Sequence, residues 1–222
     1  MPGRETPPSA APCPAAVILA GGEGSRLGGV IKANIELGAR RLLARVAGVL
    51  SPAASPVLVS HGRFPAAALD LPAGLLAVAD LDCPARGPLA GLAAAVAWLA
   101  EARPETEWLV SAAVDTPFLP ADFVPGLLHR ASGLGAAAVL AACGDQFYPT
   151  NAIWRLDRLR DLPRRTIDGT APRSLKGLAA ELGAVEMAWP EGPDGNPFAN
   201  INTPADLVAL TTRTRASHQL ES

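Results

Sequence analysis

The sequence has 222 residues, 49% of them hydrophobic, and a formal net charge of −2. This length and composition provide for a substantial core and exclude disorder for most of the chain. The lysines and arginines are scattered and form no basic surface for nucleic acid, so any bound nucleotide is expected to be a small molecule.

The two ends of the chain differ from its middle. Residues 1–14 carry prolines and polar groups, which predicts a disordered tail and not a signal peptide. Residues 211–222 are polar and are expected to fray, so we predict a single domain over 15–210. No apolar run reaches membrane-spanning length. Three widely spaced cysteines argue against a zinc site and a disulfide framework, and they fit a reducing cytoplasm.

The stretch from Ala15 to Lys32 is the most informative part of the sequence. The apolar run Ala16–Ala20 predicts a strand that is buried on both faces of a parallel sheet. Five glycines follow within positions 21–29, and glycine lets backbone N–H groups approach a ligand closely. A glycine-rich turn at the carboxyl end of a parallel strand is typical of phosphate sites. Because Arg26 and Lys32 add positive charge, we predict a nucleotide phosphate site and not a merely flexible loop.

Two common phosphate motifs do not fit this loop. The P-loop pattern does not occur in it, and the dinucleotide pattern G-x-G-x-x-G fails at Leu27, where its last glycine belongs. What remains is Leu-Ala-Gly-Gly, three residues, Arg-Leu-Gly-Gly and then Lys32.

Strands and helices alternate along the rest of the chain, which predicts a Rossmann-like three-layer α/β/α sandwich with a mostly parallel sheet. Residues 33–37 alternate between apolar and polar and predict a short strand or extended arm. The further predicted strands cover 56–60 and 75–79, both expected to be buried, and then 108–114, 136–142, 146–154 and 185–189, and the helices cover 41–50, 88–102, 120–131, 174–182 and 204–210. The strand over 146–154 is expected to return as a hairpin and to make the sheet mixed. Thr203 and Pro204 predict the N-cap and first turn of the last helix.

Two aspartates each follow an apolar strand, and the carboxyl ends of parallel strands meet at one edge of the sheet. Asp115 is the better candidate for a Mg²⁺ ligand, because a strand and Thr116-Pro117 hold it in a fixed, partly dry position. The alternative is a helix cap. For Asp80, recognition of the base or ribose and a structural cap are equally open.

Other polar residues have weaker patterns. Asn200 and Asn202 would face the same way in an extended segment and could orient phosphate or metal-bound water, or they could be turn asparagines. His61 is interpreted as a surface or supporting residue, because no nucleophile motif accompanies it. The absence of a general base is informative, since a phosphate nucleophile is already ionised at pH 7. Positioning and charge neutralisation by Arg26, Lys32 and a metal on Asp115 would then suffice.

Taken together, these motifs resemble those of the nucleotidyltransferases with a nucleotide-diphospho-sugar transferase fold. Within that group the chain is most similar to the molybdenum cofactor guanylyltransferases, the MobA-like family, which join GMP to molybdopterin. The likeness runs from Val17 to about Leu210, and beyond the loop it is carried by Gly87–Gly91, Asp115–Pro117, Tyr148–Thr150 and Phe198–Pro204.

The resemblance implies a role for each matched residue. Leu19, Ala20 and Gly21 would contact guanine and ribose, Asp80 the nucleoside, Lys32 the phosphates and Asp115 the Mg²⁺. Gly22, Asn200, Asn202 and Ser60 would complete the GTP site, although the family often has an asparagine where Ser60 stands. Arg26, Lys32 and Asp115 would be the catalytic residues. The resemblance further implies GTP and molybdopterin as substrates, molybdoenzyme maturation proteins as partners, and neither nucleic acid nor a membrane.

Several positions depart from the family pattern. Ile31 precedes the lysine where a polar or acidic residue is usual, and Arg40 and Arg41 stand where a proline is common before Leu42. Leu-Ala-Gly-Gly, where cytidylyltransferases have Leu-Ala-Ala-Gly, favours guanine through Gly21. The alternatives are a cytidylyltransferase or sugar-phosphate nucleotidyltransferase of the same fold, or a non-catalytic nucleotide-binding homologue.

A basic segment in the second half of the chain is a candidate acceptor site. Four cationic residues lie between Arg164 and Lys176. Arg173 and Lys176 are three apart at the predicted start of a helix, where they would share a face and where the helix N-terminus favours an anion. The alternative is a solvated basic loop.

Overall fold

The computed structural model describes residues 13–21, 23–24, 30–83, 87–192 and 195–211. Gly22 and Arg26 lie outside the described residues, as do nearly all of the predicted tail and of the predicted frayed end. The roles predicted for them therefore stay predictions. No helix within the described ranges is long and apolar enough to cross a membrane.

The described strands and helices alternate as predicted. The strands are β1 (Ala15–Leu19), β2 (Glu23–Gly24), β3 (Val30–Ile31), β4 (Glu36–Leu37), β5 (Arg40–Arg41), β6 (Val57–Ser60), β7 (Leu75–Val78), β8 (Trp108–Ala113), β9 (Ala138–Cys143), β10 (Gln146–Arg155) and β11 (Val185–Ala188). The helices are α1 (Leu42–Leu50), α2 (Pro88–Ala102), α3 (Phe123–Leu134), α4 (Leu162–Ile167) and α5 (Leu175–Glu181), and a final helix is described over 204–211.

Seven strands form the central sheet, in the order β11-β9-β10-β8-β1-β6-β7. Only β10 runs antiparallel to its neighbours, β8 and β9, and the other pairings are parallel. The structure thus confirms the mostly parallel sheet and the hairpin return after β9. Because β10 reverses direction, its first residues lie at the same sheet edge as the carboxyl ends of the parallel strands.

Helices cover both faces of this sheet and complete the three-layer sandwich. On one face, Ile18 of β1 belongs to a buried cluster with Leu43 of α1 and Phe123 of α3. On the other, Val17 belongs to a cluster with Leu92 of α2 and with apolar residues of α4 and α5. Since successive strand residues point to opposite faces, all five residues of β1 are buried, as the uninterrupted apolar run predicts.

Three predictions for the first half of the chain need correction. Lys32–Asn34 forms a 3₁₀ turn, so that only Glu36–Leu37 of the predicted arm is a strand, and it pairs with β5 in a hairpin that turns at Gly38. Strand β7 is not fully buried, because it lies at the sheet edge with Leu76 and Ala77 exposed. The helix predicted from residue 120 begins at Phe123 and continues to Leu134.

The described part of the second half of the chain contains one α-helix that was not predicted. Helix α4 has six residues, too few to show an apolar repeat, and it includes Arg164 and Arg165 of the segment predicted to bind the acceptor. It packs its Leu162 and Thr166 inward, so the start of that basic segment is a helix and not a loop.

Candidate active site

A pocket opens at the carboxyl edge of the sheet, where β1, β6 and β8 end. Seven residues predicted from the sequence line it, namely Leu19, Gly21, Lys32, Ser60, Asp80, Asp115 and Asn200. The fold therefore brings together groups at the ends of four strands of the sheet, β1, β6, β7 and β8, with Lys32 and Asn200 from two further segments. This is the edge at which α/β sheets bind their ligands.

Lys32 and Asp115 form an ion pair at this pocket. The Lys32 Nζ lies 2.7 Å from Asp115 Oδ2 and 2.7 Å from Asn202 Oδ1. The two charged side chains are only 12% and 16% exposed, so water screens their attraction weakly. Three of the predicted site residues thus meet at one point, although 83 and 170 positions separate Lys32 from its two partners.

Two hydrogen-bonded contacts hold the segment that carries Asn202. The backbone N–H of Ile201 donates to the Asp115 carbonyl oxygen at 3.0 Å. One residue further on, the Asp206 carboxylate accepts from the backbone N–H groups of Asn202 and Thr203 at 2.9 and 2.8 Å. The Thr203 hydroxyl in turn accepts from the Asp206 N–H, which confirms Thr203 as the N-cap of the last helix.

The environment of Asp206 favours its charged form. The N–H groups of Asn202 and Thr203 stabilise the carboxylate and lower the pKa of Asp206, and the charge of Lys32 acts in the same direction. Because it binds the N–H of Asn202, this carboxylate links the start of the last helix to the residue that contacts Lys32.

The oxygens around Lys32 suit a hard cation. Asp115 Oδ2 and Asn202 Oδ1 already bind one positive group, the Lys32 ammonium, at 2.7 Å each. Carboxylate and amide oxygens are ligands that Mg²⁺ and Mn²⁺ accept. The described residues contain no cluster of three or more histidine, cysteine, aspartate or glutamate side chains. A metal here would therefore need further oxygens from a phosphate ligand.

Asp80 is held on the opposite side of the pocket by Ser60. The buried Ser60 hydroxyl donates to Asp80 Oδ1 at 2.5 Å, so its hydrogen is used within the protein. Gly91, in the first turn of α2, leaves room for this contact, because a Cβ at that position would lie 3.0 Å from Ser60 Cβ and 3.2 Å from Leu19 Cδ2. Ser60 therefore orients the Asp80 carboxylate in the pocket.

Gly21 is required by a close approach of two loops. A Cβ on Gly21 would lie 2.8 Å from the Cα of Gly62, which itself has a φ of 62°. The guanine preference that the sequence assigns to Gly21 thus has a second, purely steric explanation. Next to Gly62, His61 is buried and its Nδ1 lies 2.5 Å from the Phe64 carbonyl oxygen. The prediction of a surface histidine is wrong, while a supporting role in this turn agrees with the contact.

An aromatic cluster anchors the segment before Asn200. The ring of Phe198 lies 5.2 Å from Tyr148, 5.5 Å from Trp189 and 6.2 Å from Phe123, measured between centroids. The Tyr148 hydroxyl accepts from Asn196 Nδ2 at 2.6 Å. These contacts fix the backbone that leads to Asn200 and Asn202.

The predicted acceptor residues are arranged differently from the prediction. The Ser174 hydroxyl accepts from the Gly177 N–H at 3.1 Å, which makes Ser174 the N-cap and starts α5 at Leu175. Arg173 thus precedes the helix, and the prediction that it shares a helix face with Lys176 is wrong. Lys176 Nζ lies 5.2 Å from the centroid of the Phe147 ring, near the start of β10 at the pocket edge of the sheet.

The remaining two cations of that segment are used in ion pairs. Arg164 contacts Asp168 at 3.1 Å, and Arg165 contacts Glu181 of α5 at 2.7 and 2.9 Å. The bidentate pair raises the pKa of Arg165 and lowers that of Glu181 through their hydrogen bond. Arg164 and Arg165 therefore stabilise this part of the fold.

Sequence reasoning missed two residues of a bulge in β10. Thr150 lines the pocket, and the neighbouring Asn151 is fully buried against the end of β8. The signal that the sequence offers for this bulge is Pro149, because proline within a strand marks an edge or a bulge.

The sheet order and the Lys32–Asp115 pair at the carboxyl edge are those of an α/β protein of the nucleotidyltransferase class. The chain belongs to the family of MobA-like NTP transferase domains, whose model matches residues 16–185. It is 37% identical over 199 residues to a molybdenum cofactor guanylyltransferase of Rhodopseudomonas palustris strain HaA2, with 89% of this chain and 90% of that protein covered.

Solved structures share the fold. One is the molybdopterin-guanine dinucleotide biosynthesis protein A from Archaeoglobus fulgidus, with a TM-score of 0.68, 21% identity, and 91% of this chain and 99% of that chain covered. Another is a Mycobacterium tuberculosis protein in complex with manganese, with a TM-score of 0.64, 17% identity, and 91% and 100% covered.

Proposed function

We propose that this protein transfers GMP from GTP to molybdopterin, giving molybdopterin guanine dinucleotide and pyrophosphate. Support comes from the names of relatives such as the Rhodopseudomonas palustris guanylyltransferase, which aligns over 89% of the chain. The observation that carries the proposal is the Lys32–Asp115–Asn202 contact, which sets one ammonium and two oxygen ligands at the carboxyl edge of the sheet. A cation and a triphosphate need these groups side by side.

The residues on each side of the pocket have distinct tasks in this proposal. Leu19, Ala20, Gly21 and Gly22 bind the base and ribose, and Asp80, oriented by Ser60, contacts the nucleoside. Asp115 and Asn202 hold the cation, with Asn200 beside them. Lys32 and Arg26 bind the triphosphate.

The reaction is a displacement at the α-phosphorus of GTP. A phosphate oxygen of molybdopterin forms the new bond, and the bond to the pyrophosphate breaks. The acceptor oxygen is already ionised at pH 7, so no residue needs to remove a proton. The proposed cation is Mg²⁺, which would neutralise charge on the triphosphate and on the departing pyrophosphate. Lys32 then leaves Asp115 and donates to the phosphates, which keeps a positive charge next to the developing negative charge.

The acceptor is proposed to lie at the edge formed by the β9–β10 hairpin and α5. Lys176 at Phe147 is the cation placed there, and Arg173 lies just before the same helix. We expect Arg173→Ala with Lys176→Ala to raise the KM for molybdopterin and to leave GTP affinity unchanged. Loss of GTP binding, or no change in either quantity, would contradict this location.

We further propose that the protein lies in the cytoplasm and that it contacts molybdoenzyme maturation proteins.

The test of the main proposal combines binding and turnover. Thermal unfolding is followed with GTP, CTP, ATP and UTP, each with Mg²⁺, because a bound ligand stabilises by RT ln(1 + [L]/Kd). GTP should stabilise most, and pyrophosphate release should require both GTP and molybdopterin. A larger shift with CTP would favour cytidylyl transfer, an alternative that Gly21 does not argue against, because the close approach of Gly62 also requires glycine there.

A matched pair of variants separates the chemistry from the fold. Asp115→Asn keeps the shape of the side chain and should abolish metal-dependent pyrophosphate release. Asp157→Asn makes the same change in a carboxylate that pairs with Arg155 at the opposite edge of the sheet, and it should leave the rate unchanged. Full activity in Asp115→Asn would end the metal-ligand assignment.

A further inference from the structure

Asn151 is a buried polar residue beside the site that the proposed reaction does not use. It lies in the bulge of β10, where the pairing with β9 shifts between Tyr148 and Ala152. Residues 149–151 therefore lie outside the regular ladder, at the pocket edge of the sheet. Thr150, from the same bulge, lines the pocket.

In a regular strand, a backbone carbonyl would accept the hydrogen bond from the neighbouring strand. At the bulge, the side chain of Asn151 takes the place of that carbonyl. Its Oδ1 accepts from the Ala113 backbone N–H at 2.9 Å and from the Thr116 hydroxyl at 3.2 Å. The single hydrogen of this hydroxyl is shared with the Ala113 carbonyl oxygen, which accepts it at the shorter distance of 2.7 Å. Asn151 and Thr116 are both fully buried. Asn151 thus contacts Ala113 and Thr116, the residues on either side of Val114 and Asp115, and fixes this segment at both ends.

An asparagine is a specific choice at this position. Its Nδ2 is buried and has no hydrogen-bond partner among the described residues, an arrangement that destabilises the fold. An aspartate would remove the unpaired Nδ2 donor. It would, however, add a negative charge that contacts Ala113 and Thr116, the two residues that hold the segment of Asp115. An apolar residue would leave the Ala113 N–H unpaired. Asparagine is the side chain that offers a neutral acceptor of this reach.

We propose that Asn151 is a positioning residue that fixes the Asp115 carboxylate for its cation. This inference rests on the proposed role of Asp115 as a metal ligand. Asn151 acts through the Ala113 backbone and Thr116, so it contributes to cation affinity and to turnover and not to the binding of metal-free GTP. Loss of a group that orients a metal ligand typically lowers metal affinity by ~10–100-fold.

The experiment measures Mn²⁺ binding to the GTP complex by electron paramagnetic resonance. Asn151→Leu should raise the Kd for Mn²⁺ by ~10–100-fold, and Thr116→Val should raise it in the same direction. The double variant should lose less than the sum of the two, because both changes break one network. Asn151→Asp, which keeps an acceptor oxygen, should retain more affinity than Asn151→Leu. GTP affinity measured in EDTA should not change.

Ser111→Ala is the matched control. It removes the acceptor of a buried 2.9 Å hydrogen bond from Trp154 Nε1 between the same two strands, four residues before Asp115. It should lower the urea midpoint and leave Mn²⁺ affinity unchanged. If Asn151→Leu does not fold, Thr116→Val carries the same test.

Two outcomes overturn the inference, and they are distinguishable. If Asp115→Asn binds Mn²⁺ as the natural protein does, the metal-ligand role in the proposed function fails, and the positioning role fails with it. If Asp115→Asn loses Mn²⁺ while Asn151→Leu and Thr116→Val bind as tightly as Ser111→Ala, only the positioning role is wrong.

Discussion

Replacing Lys32 by methionine tests the centre of the site most directly. The change keeps an unbranched side chain and removes the ammonium that contacts Asp115 and Asn202 at 2.7 Å. Without nucleotide or metal, the Asp115 carboxylate then loses the cation that it contacts. Turnover should fall by ~10²–10³-fold, because the donor proposed to contact the reacting phosphates is lost.

The stability effect follows from the burial of the pair. Exposed ion pairs contribute about 0–1 kcal/mol, and breaking a buried pair costs about 3–5 kcal/mol. At 12% and 16% exposure the pair falls between these limits, so we expect Lys32→Met to cost about 1–3 kcal/mol, as for hydrogen bonds to charged groups. Urea unfolding without ligands measures this difference directly.

Arg41→Met provides the control for this prediction. Arg41 pairs with Asp70, but these side chains are 39% and 76% exposed, so the loss should not exceed about 1 kcal/mol. The reasoning is refuted if Lys32→Met costs no more than Arg41→Met. It is also refuted if Lys32→Met retains its rate of pyrophosphate release.

Two further predictions concern Gly91, which packs against Ser60, and Asp206, which binds the N–H of Asn202. Gly91→Ala should push Ser60 away from Asp80 and raise the Kd for GTP, measured by calorimetry, whereas Gly48→Ala, where a Cβ meets nothing within 4 Å, should leave it unchanged. Equal affinities in both variants would contradict the role of Ser60. Because the folded protein lowers the pKa of Asp206, its contribution to stability is present above the unfolded pKa and is lost as pH falls through the folded value. Unfolding measured against pH should show a smaller acid-side loss in Asp206→Asn than in the natural protein, because Glu181, whose pKa is also lowered, still contributes.

The sequence predicts best where the cause of a structure is local. The apolar run of β1 is buried on both faces as expected, because nothing but a central parallel strand accommodates five consecutive apolar residues so well. Thr203 followed by Pro204 predicts a helix start that the contact with Asp206 confirms. Helix α4, by contrast, is too short for a periodic pattern, and its presence depends on packing against α2.

The sequence predicts many of the residues that line the pocket, but it does not predict which of them contact one another. Asp80 and Asp115 each follow a strand, so the rule that strand ends share an edge brings them to the pocket. No such rule connects Lys32 to Asn202, 170 positions away, or Ser60 to Asp80. These contacts depend on how loops fold over the edge, which side-chain spacing does not encode.

The contacts around Asp115 explain how a site with a single proposed metal-ligand carboxylate can be well defined. Three segments from different parts of the chain meet at this residue: Lys32 approaches its carboxylate, Ile201 donates to its carbonyl oxygen, and Asn151 supports the backbone before it. A cation bound by one carboxylate is held weakly, and Lys32 competes for the same oxygen. In the proposed complex, GTP would supply further oxygens and attract Lys32, so each ligand should strengthen binding of the other by the same factor. In Lys32→Met that factor should shrink, because Mn²⁺ then binds Asp115 without first displacing an ammonium. A factor as large as in the natural protein would show that Lys32 and the cation use different oxygens.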